Sequence, residues 1–256
     1  MNRHVALLIG RKGSVGFPGK NTTKVLGRAM MEYPLLAAAA APSISKVYVS
    51  TDDDEIRAVA ERYGAEFIQR PPELATKQAL GEDAFAHGYR VIRDRLAASG
   101  DSVATVTLLF CNAPTITAAL LEEGIAALVN DESLDSAVTV SCYNMWSPLR
   151  ARRIGQDGLL HPFVPLESFG DLTVFSCDRD SQGDVWFADM SVSIVRPRCL
   201  EDLSWGILPQ RWMGRKIYPV KSEAGLDVDF GWQMPGVEYW LRNHGFTETS
   251  TPYDGK

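Results

Sequence analysis

The sequence predicts an α/β fold, a mostly parallel sheet with helices on both faces. Apolar runs of strand length alternate with longer helical segments between residues 5 and 142, the pattern of repeated strand–helix–strand units. The first run, Val5 to Ile9, is apolar throughout and reads as a buried strand. It empties at once into a loop carrying Gly10, Gly13, Gly16 and Gly19 with Arg11, Lys12 and Lys20. Such a loop at a strand end presents backbone N–H groups and positive charge to an anion, phosphate above all. The bland alternative is a surface turn with solvated charges.

The elements follow in order. After the strand at 5–9 and its loop, residues 31–41 read as a buried helix, apolar from Leu35 to Ala41 with Pro34 near its start. Lys46 to Ser50 reads as a strand. Asp52 and Glu55 then supply an N-cap and its capping partner for a helix over 54–63 that stops at Gly64. A strand at 65–68, a helix at 82–98, a strand at 104–110, a helix at 117–130 and a strand at 136–142 complete the alternation. Asp157-Gly158 is a hairpin-turn signal, Trp186 to Pro197 reads as a strand with an alternating stretch, and a last helix ends near Gly245. Ligand in such a sheet sits at the carboxyl ends of the strands, where the loop at 10–21 and Asn112 both emerge.

Composition narrows the class. A chain of 256 residues with 45% hydrophobic and 23% charged residues fits one enzyme domain spanning 1–256. The net charge of −6, with no cluster of Lys and Arg, argues against nucleic acid. Four cysteines without CxxC spacing and four histidines without HxH or HExxH spacing offer no zinc site and suggest a reduced, cytoplasmic setting. The first strand begins almost at Met1, so no signal peptide is expected. No apolar run approaches the ~20 residues that span a bilayer.

The glycine loop is neither of two familiar phosphate loops. A Walker A loop needs glycine five residues before its Gly-Lys pair and Ser or Thr after it, and Ser14 and Asn21 hold those places. A dinucleotide fingerprint needs Gly-x-Gly, whereas Gly13, Gly16 and Gly19 are spaced by three. The stretch Arg11-Lys-Gly13-Ser14-Val-Gly16-Phe-Pro18-Gly-Lys20-Asn21 resembles instead the nucleotide loop of the cytidylyltransferases that activate acidic sugars, the CMP-sialate and CMP-Kdo synthetases. That resemblance implies a Rossmann-like nucleotidyltransferase sheet. It also implies that Arg11 and Lys20 hold the CTP phosphates and act in catalysis, while Gly13, Ser14 and Asn21 contact the nucleotide. One departure is plain: the family's first lysine is Val15 here.

Further matches follow at family spacing. Val-Ser-Thr-Asp52, Tyr63-Gly-Ala-Glu66 and Arg70-Pro-Pro-Glu-Leu-Ala75 resemble a family series in which the arginine contacts the cytidine. Asp52 reads as structural, because capping explains it, whereas Arg70 is either that cytidine contact or a rim arginine. A family serine that helps read the base is Gly81 here, so base recognition would lean on backbone. Pro114 aligns with a shared proline, which leaves Asn112 where some members have an acidic or hydroxyl group, and Phe110 or Cys111 at the family's glutamine. Asn112 would contact substrate or metal, or simply form the turn before Ala-Pro. Arg153 falls at the place of a sugar-contacting lysine, and Asp189 stands where Asn is usual.

Asp227-Val-Asp229 matches the family's metal-binding Asp-apolar-Asp motif, and Gln233 replaces a family aspartate beyond it. On a strand, alternate residues share a face, so Asp227 and Asp229 would reach one Mg²⁺ with Val228 turned into the core. Residues 143–185 match only faintly. The resemblance gives that region to a small dimerisation extension, and Phe163, Val164, Leu166, Phe169, Val174 and Phe175 suit a partner-facing surface. The implied activity is transfer of CMP from CTP to the anomeric hydroxyl of an acidic 2-keto-3-deoxy sugar, with release of pyrophosphate, by a cytoplasmic homodimer using Mg²⁺ in nucleotide-sugar biosynthesis. A different acceptor, such as a sugar phosphate, polyol phosphate or phosphonate, and a nucleotide-binding module without turnover remain open.

Overall fold

The computed structural model describes residues 1–13 and 16–255; Ser14 and Val15 lie outside the described residues. The chain opens with β1 (Asn2–Ile9), a tight hairpin of β2 (Lys24–Val25) and β3 (Arg28–Ala29), and α1 (Glu32–Ala40). Then come β4 (Ile44–Thr51), α2 (Asp54–Arg62), β5 (Glu66–Gln69), α3 (Gly81–Ala98), β6 (Ser102–Phe110), α4 (Ala118–Asn130) and β7 (Ser136–Cys142). A small hairpin of β8 (Arg152–Ile154) and β9 (Leu160–Pro162) precedes β10 (Trp186–Val195), α5 (Arg198–Glu201), β11 (Ile217–Ser222) and α6 (Met234–Asn243). Through β7 the elements follow the sequence pattern within a few residues.

Seven strands form one sheet in the order β11-β7-β10-β6-β1-β4-β5. β10 runs antiparallel to β6 and β7, and every other pair is parallel. The pleat sorts β1 into two faces. Ala6 and Leu8 join Val49, Leu109 and Ile194 under α1, α2 and α4. Val5, Leu7 and Ile9 join Tyr48, Val106 and Leu108 under α3 and α5. After β1 the chain builds β4 and β5 on one side, then crosses to β6 on the other. That reversal opens a crevice at the carboxyl ends of β1 and β6. A third core of Val25, Met30, Tyr33, Val228, Val237, Trp240, Leu241 and Phe246 seats α6 and the β2–β3 hairpin beside that crevice.

Several local expectations are revised. Asp53, not Asp52, caps α2: its Oδ1 accepts from the backbone N–H of Glu55 at 2.8 Å and of Ile56 at 3.4 Å. Residues 224–229 form no strand, although Val228 is fully buried as the alternation required. The β2–β3 hairpin turns through Leu26 and Gly27, both with positive φ, in segments too short to show a period. β11 contains Pro219, which a sequence pattern reads as a break but an edge strand tolerates. Asp157-Gly158 does form its turn, between β8 and β9, with Gly158 at φ 75°.

Residues 143–185 carry the β8–β9 hairpin and short 3₁₀ turns. Phe163 and Val174 are exposed there, whereas Val164, Leu166, Phe169 and Phe175 are half-buried. Trp146 and Leu160 are 72% and 71% exposed, so this region shows water an apolar surface. Among the described residues, no helix is long and apolar enough to cross a membrane.

Close packing of helix on sheet is tightest at Gly124 of α4. A Cβ there would lie 2.5 Å from Ile194 Cδ1, with Ala137 and Val220 on its other sides. Gly124→Val is expected to lower the melting temperature by several degrees, since overpacking a core costs about 1–3 kcal/mol and each kcal/mol is worth about 2–4 °C at this size. Calorimetric melting of the variant beside the parent chain measures it.

Candidate active site

The crevice holds a cavity of about 360 Å³, bounded by the glycine loop, Arg70, the start of α3, the end of β6 and Asp229. The loop starts at Gly10, where a side chain would displace its neighbours: a Cβ would lie 2.5 Å from Cys111 Sγ and 2.9 Å from Ile56 Cδ1. Gly10 N–H donates to Ser50 O, and Lys12 N–H donates to Asp52 Oδ1 at 3.0 Å. Asp52 is thus structural, as a loop anchor rather than as a cap. Gly13 and Gly19 both have positive φ, which lets the loop reverse at low cost. Arg11, Lys20 and Asn21 all line the cavity. Gly13 does not line it, and Ser14 lies outside the described residues.

Opposite the loop stands Arg70, only 4% exposed. Its Nη2 donates to Ser50 O at 3.1 Å, its Nε has no partner, and no carboxylate pairs with it among the described residues. Burial therefore pulls its pKa below the usual arginine value. A buried guanidinium facing a cavity without a counter-ion is costly unless something anionic or acceptor-rich enters. Beside it, α3 begins at Gly81 with no side-chain cap, so its first N–H groups stand at the cavity edge. A Cβ on Gly81 would meet nothing nearer than Phe110 Cε1 at 3.9 Å, so the missing side chain leaves open room. β6 presents Phe110 to the cavity and turns Cys111 inward, where burial pushes the thiol up to about 12. The family's glutamine position is therefore an apolar wall in this chain.

The acidic side comes from the far end of the chain. Asn112 O accepts from Val228 N–H at 2.9 Å, while Asn112 Nδ2 donates to Val228 O at 3.0 Å and to Asp227 Oδ1. Asp229 Oδ1 then meets Lys20 Nζ at 2.5 Å, with Lys20 15% and Asp229 58% exposed at the side chain. Burial, reinforced by the Asp229 carboxylate, pushes Asp227 up to about 6, against the pull of Lys20 and Asn112. No group of three or more His, Cys, Asp or Glu gathers at a metal site among the described residues. The Asp227/Asp229 pair still fits Mg²⁺, which takes one or two carboxylates and completes its shell with water and phosphate oxygens.

Gly13 and Asp227 border the site without lining the cavity, and two further expected site residues stand elsewhere. Asp189 is buried at a break in the β10–β7 ladder and does not line the cavity. Its oxygens accept from Thr139 Oγ1 at 2.5 Å, Ser141 Oγ at 2.6 Å and Ser191 N–H at 3.1 Å. Gly225 packs so closely on it that a Cβ there would fall 2.0 Å from Asp189 Cγ. These contacts make Asp189 a structural carboxylate. Arg153 lies on exposed β8, outside the cavity. Conversely, Gly16, Leu74, Ala79, Leu80 and Ala84 line the cavity with no sequence signal beyond ordinary small and apolar residues. Gly16 could be suspected only as a glycine; a Cβ there would sit 3.0 Å from Asp229 O.

Asp227 yields a test. A carboxyl whose folded pKa is raised binds its proton more tightly when folded, so its cost is absent below its unfolded value of about 4 and fully present by pH 7. Asp227→Asn should therefore raise the metal-free melting temperature at pH 7. After solvent screening the gain is ~1 kcal/mol, or about 2–4 °C. At pH 4 the gain should vanish, and calorimetry at the two pH values reads the difference.

Comparison with known proteins places this geometry. Residues 5–87 match the family model described as cytidylyltransferase. An N-acylneuraminate cytidylyltransferase of Escherichia coli O18:K1:H7 is 34% identical over 90 residues, which are 35% of this chain and 22% of that protein. A 3-deoxy-manno-octulosonate cytidylyltransferase of Myxococcus xanthus is 38% identical over 74 residues, 29% of this chain and 30% of that one. The matched stretches thus span less than a third of these relatives' own length. Among solved structures, CMP:2-keto-3-deoxy-manno-octonic acid synthetase complexed with CTP superposes with a TM-score of 0.66 at 15% identity, covering 94% of this chain and 99% of the other. A 4-diphosphocytidyl-2C-methyl-D-erythritol synthase of Anaerococcus prevotii gives 0.61 at 14% identity, with 94% and 99% covered. Residues 5–87 match the cytidylyltransferase family model by sequence, and the chain as a whole adopts the fold of those two solved structures.

Proposed function

We propose that this chain transfers CMP from CTP to the anomeric hydroxyl of an acidic 2-keto-3-deoxy sugar, sialic-acid-like or Kdo-like, and releases pyrophosphate. The observation that carries the reading is one cavity with unpaired cationic Arg70 on one side and the Lys20–Asp229 ion pair on the other. The relatives' names supply the acceptor class: one is an N-acylneuraminate and one a 3-deoxy-manno-octulosonate cytidylyltransferase.

Phosphoryl transfer of this kind asks for positioning and charge neutralisation more than for covalent catalysis. Arg11 and Lys20 neutralise the triphosphate, and the glycine loop brings backbone N–H groups to its oxygens, with Gly13, Ser14 and Asn21 as contacts. Arg70 and the open N-terminus of α3 at Gly81 offer donors to the acceptor edge of the base, against the apolar wall of Phe110. Asp227 and Asp229 would hold Mg²⁺, which supplies Lewis-acid charge to the phosphate being transferred. Asn112 fixes Asp227 in place. The exposed apolar residues of 143–185 support a homodimer, in which that surface is covered. Four free cysteines suit a reducing, cytoplasmic setting.

A pyrophosphate-release assay with CTP, Mg²⁺ and a panel of acidic sugars tests the reading. Turnover is expected with one of these sugars and with CTP well ahead of UTP, ATP and GTP. Turnover only with a sugar phosphate, polyol phosphate or phosphonate would move the acceptor, and CTP binding without turnover on any of them would leave a binding module. Lys20→Ala is expected to lower CTP affinity or turnover roughly tenfold or more, the worth of a charged hydrogen bond of about 1.5–3 kcal/mol. An unchanged rate and affinity would put Lys20 outside the chemistry. Light scattering at micromolar concentration should give twice the 28.2 kDa chain mass, and a monomer there would count against the dimer.

A further inference from the structure

The acidic segment has no strand to hold its shape. Between Gly225 and Phe230 the backbone N–H groups go one by one to isolated acceptors: Gly225 to Ser141 Oγ, Leu226 to Thr115 Oγ1 and Val228 to Asn112 O. The last two, Asp229 and Phe230, both donate to a single atom, Gln233 Oε1, at 2.7 and 2.8 Å. The same side chain returns its Nε2 to Asp227 O at 3.4 Å. Gln233 closes the 3₁₀ turn at Gly231–Gln233 and leads into α6, which Val237, Trp240 and Leu241 anchor in the core.

We propose that Gln233 is a positioning residue for the two candidate metal carboxylates, setting the bend that presents Asp227 and Asp229 to one cation; this rests on the CTP-dependent reading above. Capping of the turn explains only part of the contact set. A capping glutamine needs the N–H of the N-cap residue, here Phe230, and nothing more. The bonds to Asp229 N–H and Asp227 O exceed that need, and both fall on the carboxylate-bearing residues themselves. Each acid is thus held through its own backbone, while its carboxylate meets a separate partner, Asn112 for Asp227 and Lys20 for Asp229. The chemistry of the clamp also suits its place. An apolar side chain would abandon two N–H groups, while the amide accepts both and adds no charge beside Asp229. Groups that orient metal ligands in this manner commonly change metal affinity by about 10–100-fold when removed.

Two variants separate positioning from capping. Gln233→Met keeps the bulk and removes the acceptor; Gln233→Glu keeps an oxygen for both N–H groups. The readouts are Mn²⁺ binding without nucleotide by water proton relaxation, CTP affinity in EDTA, and the half-saturating Mg²⁺, the KM for CTP and the kcat of turnover. For Gln233→Met, Mn²⁺ affinity should weaken about tenfold or more and kcat should fall. CTP affinity in EDTA and the KM for CTP at saturating Mg²⁺ should stay within about twofold, since the nucleotide loop is untouched. Gln233→Glu should recover Mn²⁺ affinity to within about threefold of the parent, because both N–H bonds return. A lowered melting temperature with parental Mn²⁺ affinity in the Met variant makes Gln233 a cap only and overturns the proposal. So does a Glu variant as weak as Met, which also decides the matter if Met does not fold. A parent protein that binds Mn²⁺ but never turns over CTP removes the functional reading and leaves the clamp standing; one that binds no Mn²⁺ removes the clamp.

Discussion

The candidate site depends on one reciprocal contact, the pairing of Asn112 at the end of β6 with Val228 in the returning chain. Everything acidic in the crevice hangs from it. Val228 is buried between Tyr33 and α6, so its carbonyl and N–H are placed by packing, and Asn112 meets both. The flanking residues then have little freedom. Asp227 turns to the Asn112 amide and Asp229 to Lys20. A hydrophobic side chain thereby sets the address of two charged ones. The physical order is burial first and electrostatics second, because about 25 cal/mol per Å² of apolar area outweighs an exposed ion pair worth ~1 kcal/mol or less.

Charge in the crevice is arranged so that each sign is incompletely answered. Arg70 is buried without a carboxylate, and Asp227 is raised by its burial and by the neighbouring Asp229 carboxylate, which Lys20 and Asn112 only partly offset. Elsewhere the molecule balances its buried charges closely. Asp189 has three donors, and Asp135 accepts from Arg198 Nε and from the N–H groups of Arg215 and Lys216. The contrast separates a carboxylate whose donors are all supplied by the fold from one that the fold leaves partly unanswered, and sequence alone offers no such distinction.

What the sequence made legible follows from how local each feature is. The strand–helix alternation through β7 was readable because each element carries its own period, and the glycine loop because its residues are contiguous. The antiparallel insertion of β10, between β6 and β7, was not, since strand order is decided by packing rather than by neighbours in sequence. Asp227-Val-Asp229 was readable as a motif, and Val228 does point inward, but the strand assumed for it is an irregular segment tied down by side chains. Asp189 misled because a lone aspartate at a family position looks the same whether solvent or three hydroxyl and amide donors surround it. Gln233 carried no signal beyond a difference from the family pattern; its meaning lies in two N–H groups that only the folded chain brings together.

The Lys20–Asp229 contact joins residues 209 positions apart, and Asn112 reaches Val228 across 116. A nascent chain that has emerged only as far as β10 would own the loop and Arg70 but have no opposing wall. Such a chain is cationic on one side of an open crevice, with the acids still inside the ribosome. Closing that span carries the loop-closure cost of a long separation in sequence. A ligand that bridged both walls would stabilise the two distant parts of the chain at once, since loosening either one dismantles the same pocket.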